Sequence, residues 1–295
     1  EDLTFDTRHN TYHVMVASGP MGSGHVKQQH GSRRVSAESL NLNQNFVSTA
    51  KEKKDLFIQL HGSFMVVAWL FFVSTAILLA RYYKKVWEDT MICGVKPWFA
   101  FHRGFVLTAL ALVIAALALI FYRIGGWSQT TNPHPILGIV GSVLGLFQPI
   151  MAFFRCHADA PNRYIFNWLH WLNGNTAQII AVIAIFFAPS LNKAQLEEAE
   201  WFIYVVVAFV IFNVVVHVIL QLHQWAMDKK VASDDIKMMD RSNGMAPPPV
   251  PDVPEMQEST PKDAPGGGFR RFVLGVYIVV AFLAAAVLVA TIWLA

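Results

Sequence analysis

Residues 56–73 read LFIQLHGSFMVVAWLFFV, a histidine close to the start of a long apolar segment, and the pattern recurs three times before residue 190. His61, His102, His134 and His170 each lie within the first few residues of such a segment. Successive membrane segments run in opposite directions. His61 and His134 therefore fall near one face of a bilayer, and His102 and His170 near the other. A buried ionisable side chain in a membrane helix is costly and by default marks function. Four of them at two matched depths predict two stacked sites, each with two imidazoles. Zinc prefers four tetrahedral ligands, often with thiolate or carboxylate, and neither an acid nor a thiol is near these histidines. Two imidazoles per site suit a six-coordinate heme iron better.

Working outward, the composition agrees with a membrane setting. The chain is 54% hydrophobic and 15% charged, against roughly 25% charged in soluble domains. A net charge of +3 is too small to imply nucleic acid as a partner, and membrane lipid is the expected surrounding. Cys93 and Cys156 form no CxxC, so they signal neither a disulfide framework nor a zinc site. Crossing about 30 Å of hydrocarbon takes about 20 helical residues. Segments near 57–82, 98–122, 135–155, 167–188, 202–226 and 272–294 meet that length. The expected fold class is an all-α membrane protein with six transmembrane helices, the first four forming the histidine-bearing core. Pro135 opens the third segment, where its missing N–H costs nothing, and Pro149 predicts a kink.

Loop charge orients the bundle. Arg81, Lys84, Lys85 and Lys96 follow the first segment, Arg155 and Arg163 the third, and Lys229, Lys230, Lys237 and Arg241 the fifth. The remaining two loops carry one basic residue each, Arg123 and Lys193. The positive-inside rule then puts the N-terminal region on the extracellular or lumenal side, of a plasma membrane or an endomembrane vesicle. Tryptophans at both expected boundaries fit interfacial belts.

The flanks differ in kind. Residues 1–36 read as the end of a β domain that begins upstream, with strands at Tyr12–Ala17 and from Gly24 to His30, and 37–55 as a linker. Residues 56–226 form the core. Residues 227–271, with Pro247-Pro248-Pro249, read as a disordered Pro-rich linker on the cytoplasmic side. Residues 272–295 read as an anchoring helix outside the core, without polar chemistry. Gly138 and Gly174 follow His134 and His170 at i+4, so each shares a face with its histidine, leaving room for a flat ligand. Gly141 and Gly145 extend that stripe, and ordinary close helix packing explains them equally well. His217 is read as a hydrogen-bonded structural residue, His157 and His223 as surface residues.

On these residues the chain resembles the cytochrome b561 family, in the branch that joins a DOMON domain to the b561 core. The resemblance rests on Leu60-His61-Gly62 with Ala68-Trp69, Trp98-Phe99 with His102-Arg103, His134-Pro135 with Leu137-Gly138 and Gln148-Pro149, and Phe166-Asn167-Trp168 with His170-Trp171 and Gly174. It implies two hemes b, one on His61 with His134 and one on His102 with His170. It also implies a DOMON fragment at the N-terminus, where His30 matches a residue that in some DOMON domains binds a third heme. The implied activity is an oxidoreductase's: transmembrane electron transfer from a cytoplasmic reductant such as ascorbate to an extracellular ferric chelate or another acceptor.

Arg81, Lys84, Lys85, Lys96, Arg155 and Arg163 are the candidates for holding an anionic donor. Ascorbate-using relatives carry a lysine three residues before the inner histidine, where this chain has Phe99, which puts the donor in question. A homodimer is one admissible assembly, and the residues themselves say nothing of oligomeric state. A receptor or auxiliary subunit that keeps the fold without redox turnover is the alternative, and loss of a histidine would favour it. A proton or metal transporter would need acidic partners inside the bundle, and the first four segments hold none.

Overall fold

The structure is a computed structural model. It describes residues 11–12, 15–18, 32–35, 40–41, 55–244 without 129, 158, 195 and 197–198, then 263 and 265–294. The chain divides into two units, Glu1–Lys53 and Lys54–Ala295.

In the first unit β1 (Thr11–Tyr12) pairs antiparallel with β4 (Leu40–Asn41), and β2 (Met15–Ser18) with β3 (Ser32–Val35). The register sets Thr11 opposite Asn41 and Met15 opposite Val35, one ribbon nested inside the other. The described parts of the stretch expected as the first strand, Tyr12 and Met15 to Ala17, are thus extended and paired. The segment expected as linker contributes β4, so pairing reaches beyond residue 36. The expected strand from Gly24 to His30, and His30 itself, lie outside the described residues.

The second unit is built of six helices: α1 (Leu56–Tyr82), α2 (Pro97–Ile124), α3 (His134–Phe153), α4 (Arg163–Phe187), α5 (Ala199–Gly244) and α6 (Gly267–Leu294). All six are long and apolar enough to cross a membrane. The Asp55 side chain caps α1 by accepting from the Phe57 N–H at 3.0 Å. Proline at the first position of α2 removes an N–H that has no helical partner there. Gly125, in the left-handed region at φ 73°, ends that helix.

α1 is the hub of the bundle. Ala68, Trp69, Leu70, Ala76, Leu78 and Leu79 are buried, and the helix contacts α2, α4, α5 and α6. Its middle turns, Val67–Val73, widen into a π-helix. The widened turn leaves the Trp69 carbonyl open to the Ser74 hydroxyl at 3.0 Å and the Gln178 amide at 3.1 Å. Buried polar groups in a membrane bundle need such partners. α3 and α4 approach closely because Gly141 meets the Ala177 and Ala181 backbone, with 3.2 Å from a built Cβ to the Ala181 nitrogen. Gly145 lies under the Trp69 ring. Close packing is therefore what the lower part of the glycine stripe does.

Two expectations about the flanks are corrected. The fifth helix does not stop near 226 but continues to Gly244, 46 residues in all, or about 69 Å at a rise of 1.5 Å per residue. Residues 227–244 are polar yet contain no proline, and an i,i+3 pair between Asp234 and Lys237 lies on this extension. The sixth helix starts at Gly267, and it is no detached anchor. Leu274, Tyr277, Ala281, Ala285, Leu288 and Ile292 recur every three or four residues and are all buried, the pattern of one apolar stripe. It also carries polar chemistry: the Tyr277 hydroxyl donates to Asn213 Oδ1 at 2.7 Å, and Arg270 is 6% exposed.

Candidate metal centres

His61 on α1 and His134 on α3 face each other with ring centres 6.2 Å apart and planes at 80°. His102 on α2 and His170 on α4 do the same at 6.3 Å and 68°. The structure thus brings together the two pairs that alternation across the membrane predicts. An imidazole nitrogen bonds a transition metal at about 2 Å and lies about 1.1 Å from its ring centre. Two rings facing across one metal therefore have centres roughly 6 Å apart. Both pairs have that spacing. Among the described residues no group of three or more His, Cys, Asp or Glu is gathered as a metal cluster, so each pair offers two imidazoles and no tetrahedral set.

Second nitrogens decide whether such rings are ready to bind. His61 Nδ1 is 3.0 Å from the Ala116 carbonyl, His134 Nδ1 2.8 Å from the Ala184 carbonyl, and His102 Nδ1 3.0 Å from the Ala76 carbonyl. A carbonyl only accepts, so the proton sits on Nδ1 and Nε2 keeps its lone pair for a metal. The Ala184 contact has a readable cause. Pro189 lacks an N–H for the Ile185 carbonyl, and the Ala188 N–H turns to Ile185 instead, tightening the end of α4 into the 3-10 turn Ala188–Ser190. That leaves the Ala184 carbonyl for His134. Asn132 sets the other side: its Oδ1 accepts from the His134 N–H at 2.8 Å, while its Nδ2 donates to the Phe187 carbonyl and the Ser190 hydroxyl. His170 differs, since its Nδ1 is buried without a partner and its ring stacks on Phe166 at 5.6 Å.

The surroundings also differ. An apolar cavity beside His61 and His134 is lined by Gly62, Met65, Trp69, Gly138 and Ile292. A Cβ at Gly138 would meet nothing within 4 Å, so this i+4 glycine does open onto free space. Gly174, its counterpart, has the Gln148 amide 3.0 Å from a built Cβ, and Gln148 also donates to the His170 carbonyl. At this second end the cations gather. Arg155 lies over the Phe99 ring at 5.1 Å and Arg103 over the same ring at 5.7 Å. Arg163 lies over Phe166 at 5.0 Å and Lys84 over Trp98 at 5.6 Å. Desolvation, then repulsion from Arg81, Arg163 and Arg155, holds the Lys84 ammonium below the usual lysine range. Of the candidates for an anionic donor, Lys84, Arg155 and Arg163 lie over these aromatic rings. Arg81 donates to Gln221 on α5, with 3.1 Å between Nη2 and Oε1, while its charge still acts on Lys84. Lys85 and Lys96 are exposed.

His217 packs edge-on against Tyr82 at 5.4 Å, and the Tyr82 hydroxyl donates to the His217 carbonyl, a structural setting. His157 is exposed. His223 is no simple surface residue, because its ring stacks on Phe269 at 4.6 Å and leaves no room for a Cβ at Gly266.

Six membrane-length helices holding two facing imidazole pairs define a multi-pass membrane protein of the cytochrome type. The profile of eukaryotic cytochrome b561 matches residues 60–189, and the chain belongs to that family. The chain is 36% identical, over 99% of its length and 44% of the relative's, to a ferric-chelate reductase 1 homolog of Drosophila melanogaster. It is 30% identical to ferric-chelate reductase 1 of Homo sapiens, over 91% of this chain and 43% of that one. A cytochrome b561, DM13 and DOMON domain-containing protein of Arabidopsis thaliana is 28% identical over 47% of this chain and 15% of its own length. The chain spans less than half the length of these relatives. No solved structure matches it significantly. Membership implies b-type heme as the cofactor of this domain.

Proposed function

We propose that the chain carries electrons across a membrane through two b-type hemes, from a cytoplasmic donor to an extracellular or lumenal acceptor. The observation that carries this reading is the pair of ring-centre spacings, 6.2 and 6.3 Å, each the span of two imidazoles across one metal. His61 and His134 would hold one heme, His102 and His170 the other. When bound, heme would supply a one-electron iron couple, and two imidazoles held on it would favour electron transfer over oxygen chemistry. The carbonyls of Ala116, Ala184 and Ala76 keep three of the four imidazoles in the tautomer that ligates.

Loop charge supports placing the His102–His170 end on the cytoplasmic side. There Lys84, Arg155 and Arg163 would attract an anionic reductant of the ascorbate class. Phe99, flanked by the Arg103 and Arg155 guanidiniums, stands where ascorbate-using relatives have a lysine, so the donor's charge would be met by Arg155 rather than by that position. The names of the fly and human relatives support a ferric chelate as acceptor. The test is a reduced-minus-oxidised absorbance spectrum with heme quantified on the purified chain. Two hemes per chain are expected. A chain without heme, yet folded, would leave the receptor or auxiliary-subunit reading instead.

A further inference from the structure

We propose that the last turn of α6 is a wall of the His61–His134 site, and that Ile292 and Trp293 are positioning residues for His61. This rests on the reading of His61 and His134 as heme ligands. Three residues around His61 are touched by that turn, more than 200 residues away in sequence. Gln59 Nε2 donates to the Ile292 carbonyl at 3.3 Å. A Cβ on Gly62 would stand 3.2 Å from Ile292 Cδ1. Trp293 Nε1 donates to the Ser63 hydroxyl at 3.0 Å, and that hydroxyl donates onward to the Gln59 carbonyl at 2.7 Å. Positions −2, +1 and +2 relative to His61 are therefore all held from α6, and the Ile292 side chain itself lines the histidine cavity.

The helix cannot slide away from this register, because its other end is fixed as firmly. The Arg270 guanidinium donates to the Tyr82 carbonyl at 3.0 Å, and the Tyr83 hydroxyl donates to the Arg270 carbonyl at 2.7 Å. Arg270 to Ile292 spans about 33 Å of helix, so α6 clamps both ends of α1 across the whole hydrocarbon layer of about 30 Å. The segment matched by the family profile ends at residue 189. The outer wall of one site is thus supplied from outside that segment. Burial and the dielectric around a heme set its potential, and Ile292 is the apolar group that the sixth helix contributes there.

The experiment uses the full chain with its hemes, a spectroelectrochemical titration resolving two components, and low-spin ferric resonance spectra. Ile292→Ala admits water, which favours the more charged ferric state, and is expected to lower the potential of the component that His61→Ala removes. Trp293→Phe keeps the ring and loses the donor, and is expected to alter the resonance of that same component. The component that depends on His102 stays unmoved in both. Gly62→Ala alone should shift the His61-dependent component, and Ile292→Val, lacking Cδ1, should restore it in the double variant. Two wild-type components with no change in these variants, or with equal change in both, would overturn the inference alone. A wild-type chain without a His61-dependent component would overturn the heme reading and this inference with it.

Discussion

The two histidine pairs share a ring spacing and differ in almost everything around it. At the His61–His134 end both imidazoles donate to helix carbonyls, the i+4 glycine faces open space, and a sixth helix closes the wall. At the His102–His170 end one imidazole has such a partner and the other has none, the glycine is covered by Gln148, and cations stand over the neighbouring aromatic rings. The first end is an apolar cavity with the cation Lys193 in its lining, and the second stands beside several cations. For an electron carrier this asymmetry matters, because a donated N–H makes an imidazole more electron-rich, whereas nearby cations favour the added electron. Both effects act in one direction. The His102–His170 heme should have the higher potential of the two.

The largest effect follows from treating the pairs as independent. His61→Ala should remove one heme and His102→Ala the other, each halving the heme per chain and each deleting a different spectral component. Depletion of one and the same component by both would break the comparison at its root. Asn132→Ala comes next. It takes away the acceptor for the His134 N–H and the two donors that tie α3 to the end of α4. Loss of such an orienting contact typically weakens a metal site by about 10–100-fold. Heme retention at the His61-dependent component should fall by that order during dilution or chelation by apomyoglobin, with the other component retained.

How much of this could be read from residue order follows from the kind of signal involved. The six spans and the pairing are set by hydropathy and by the depth of each histidine, and both are properties of side chains in order. The carbonyls of Ala76, Ala116 and Ala184 are not legible in that way, since every residue has one and only packing decides which is near. The role of α6 is illegible for a related reason. Its contacts at the His61 end are made by a backbone carbonyl, a methyl group and an indole N–H, none of which looks like site chemistry in an Ala- and Val-rich helix. Residues 227–244 are polar, and polarity alone reads as part of a disordered tail. The helix is described to Gly244, and the proline run begins in the sequence only at Pro247. Pro189 is the legible exception, a proline whose missing N–H frees the carbonyl that His134 uses.

The potential difference can be sharpened from the charged side. Arg163 lies over Phe166, which stacks on His170, so its charge stands two ring contacts from the ligand. A charge about 10 Å away at an effective dielectric near 20 contributes roughly 1–2 kcal/mol, on the order of 50 mV for one electron. Arg163→Gln should lower the potential of the His102-dependent component by about that amount and leave the other alone. A shift of both components alike would mean that the charge acts on the fold and not on one site.

The smallest effects separate Lys84, Arg155 and Arg163 from their neighbours. Lys84 loses its proton at lower pH than an ordinary lysine, because desolvation and the adjacent arginines disfavour its charge. As pH rises through that lowered value the cluster loses one positive charge, so KM for an anionic donor should climb while a neutral donor is unaffected. Folding stability has the opposite sign: between the lowered and the ordinary value the unfolded chain holds more protons, so stability rises slightly with pH. Lys84→Arg should move the climb in KM out of the accessible range. Arg81→Gln is the contrasting variant. Its guanidinium is exposed and donates to Gln221 on α5, so its direct loss should change KM by less than about twofold, within the small range of an exposed polar contact. Removing its repulsion on Lys84 should move the climb in KM to higher pH. If Arg81→Gln raised KM as much as Arg155→Gln, the donor would be approaching along α5, and the basic end would have to be redrawn around that helix instead of around Phe99.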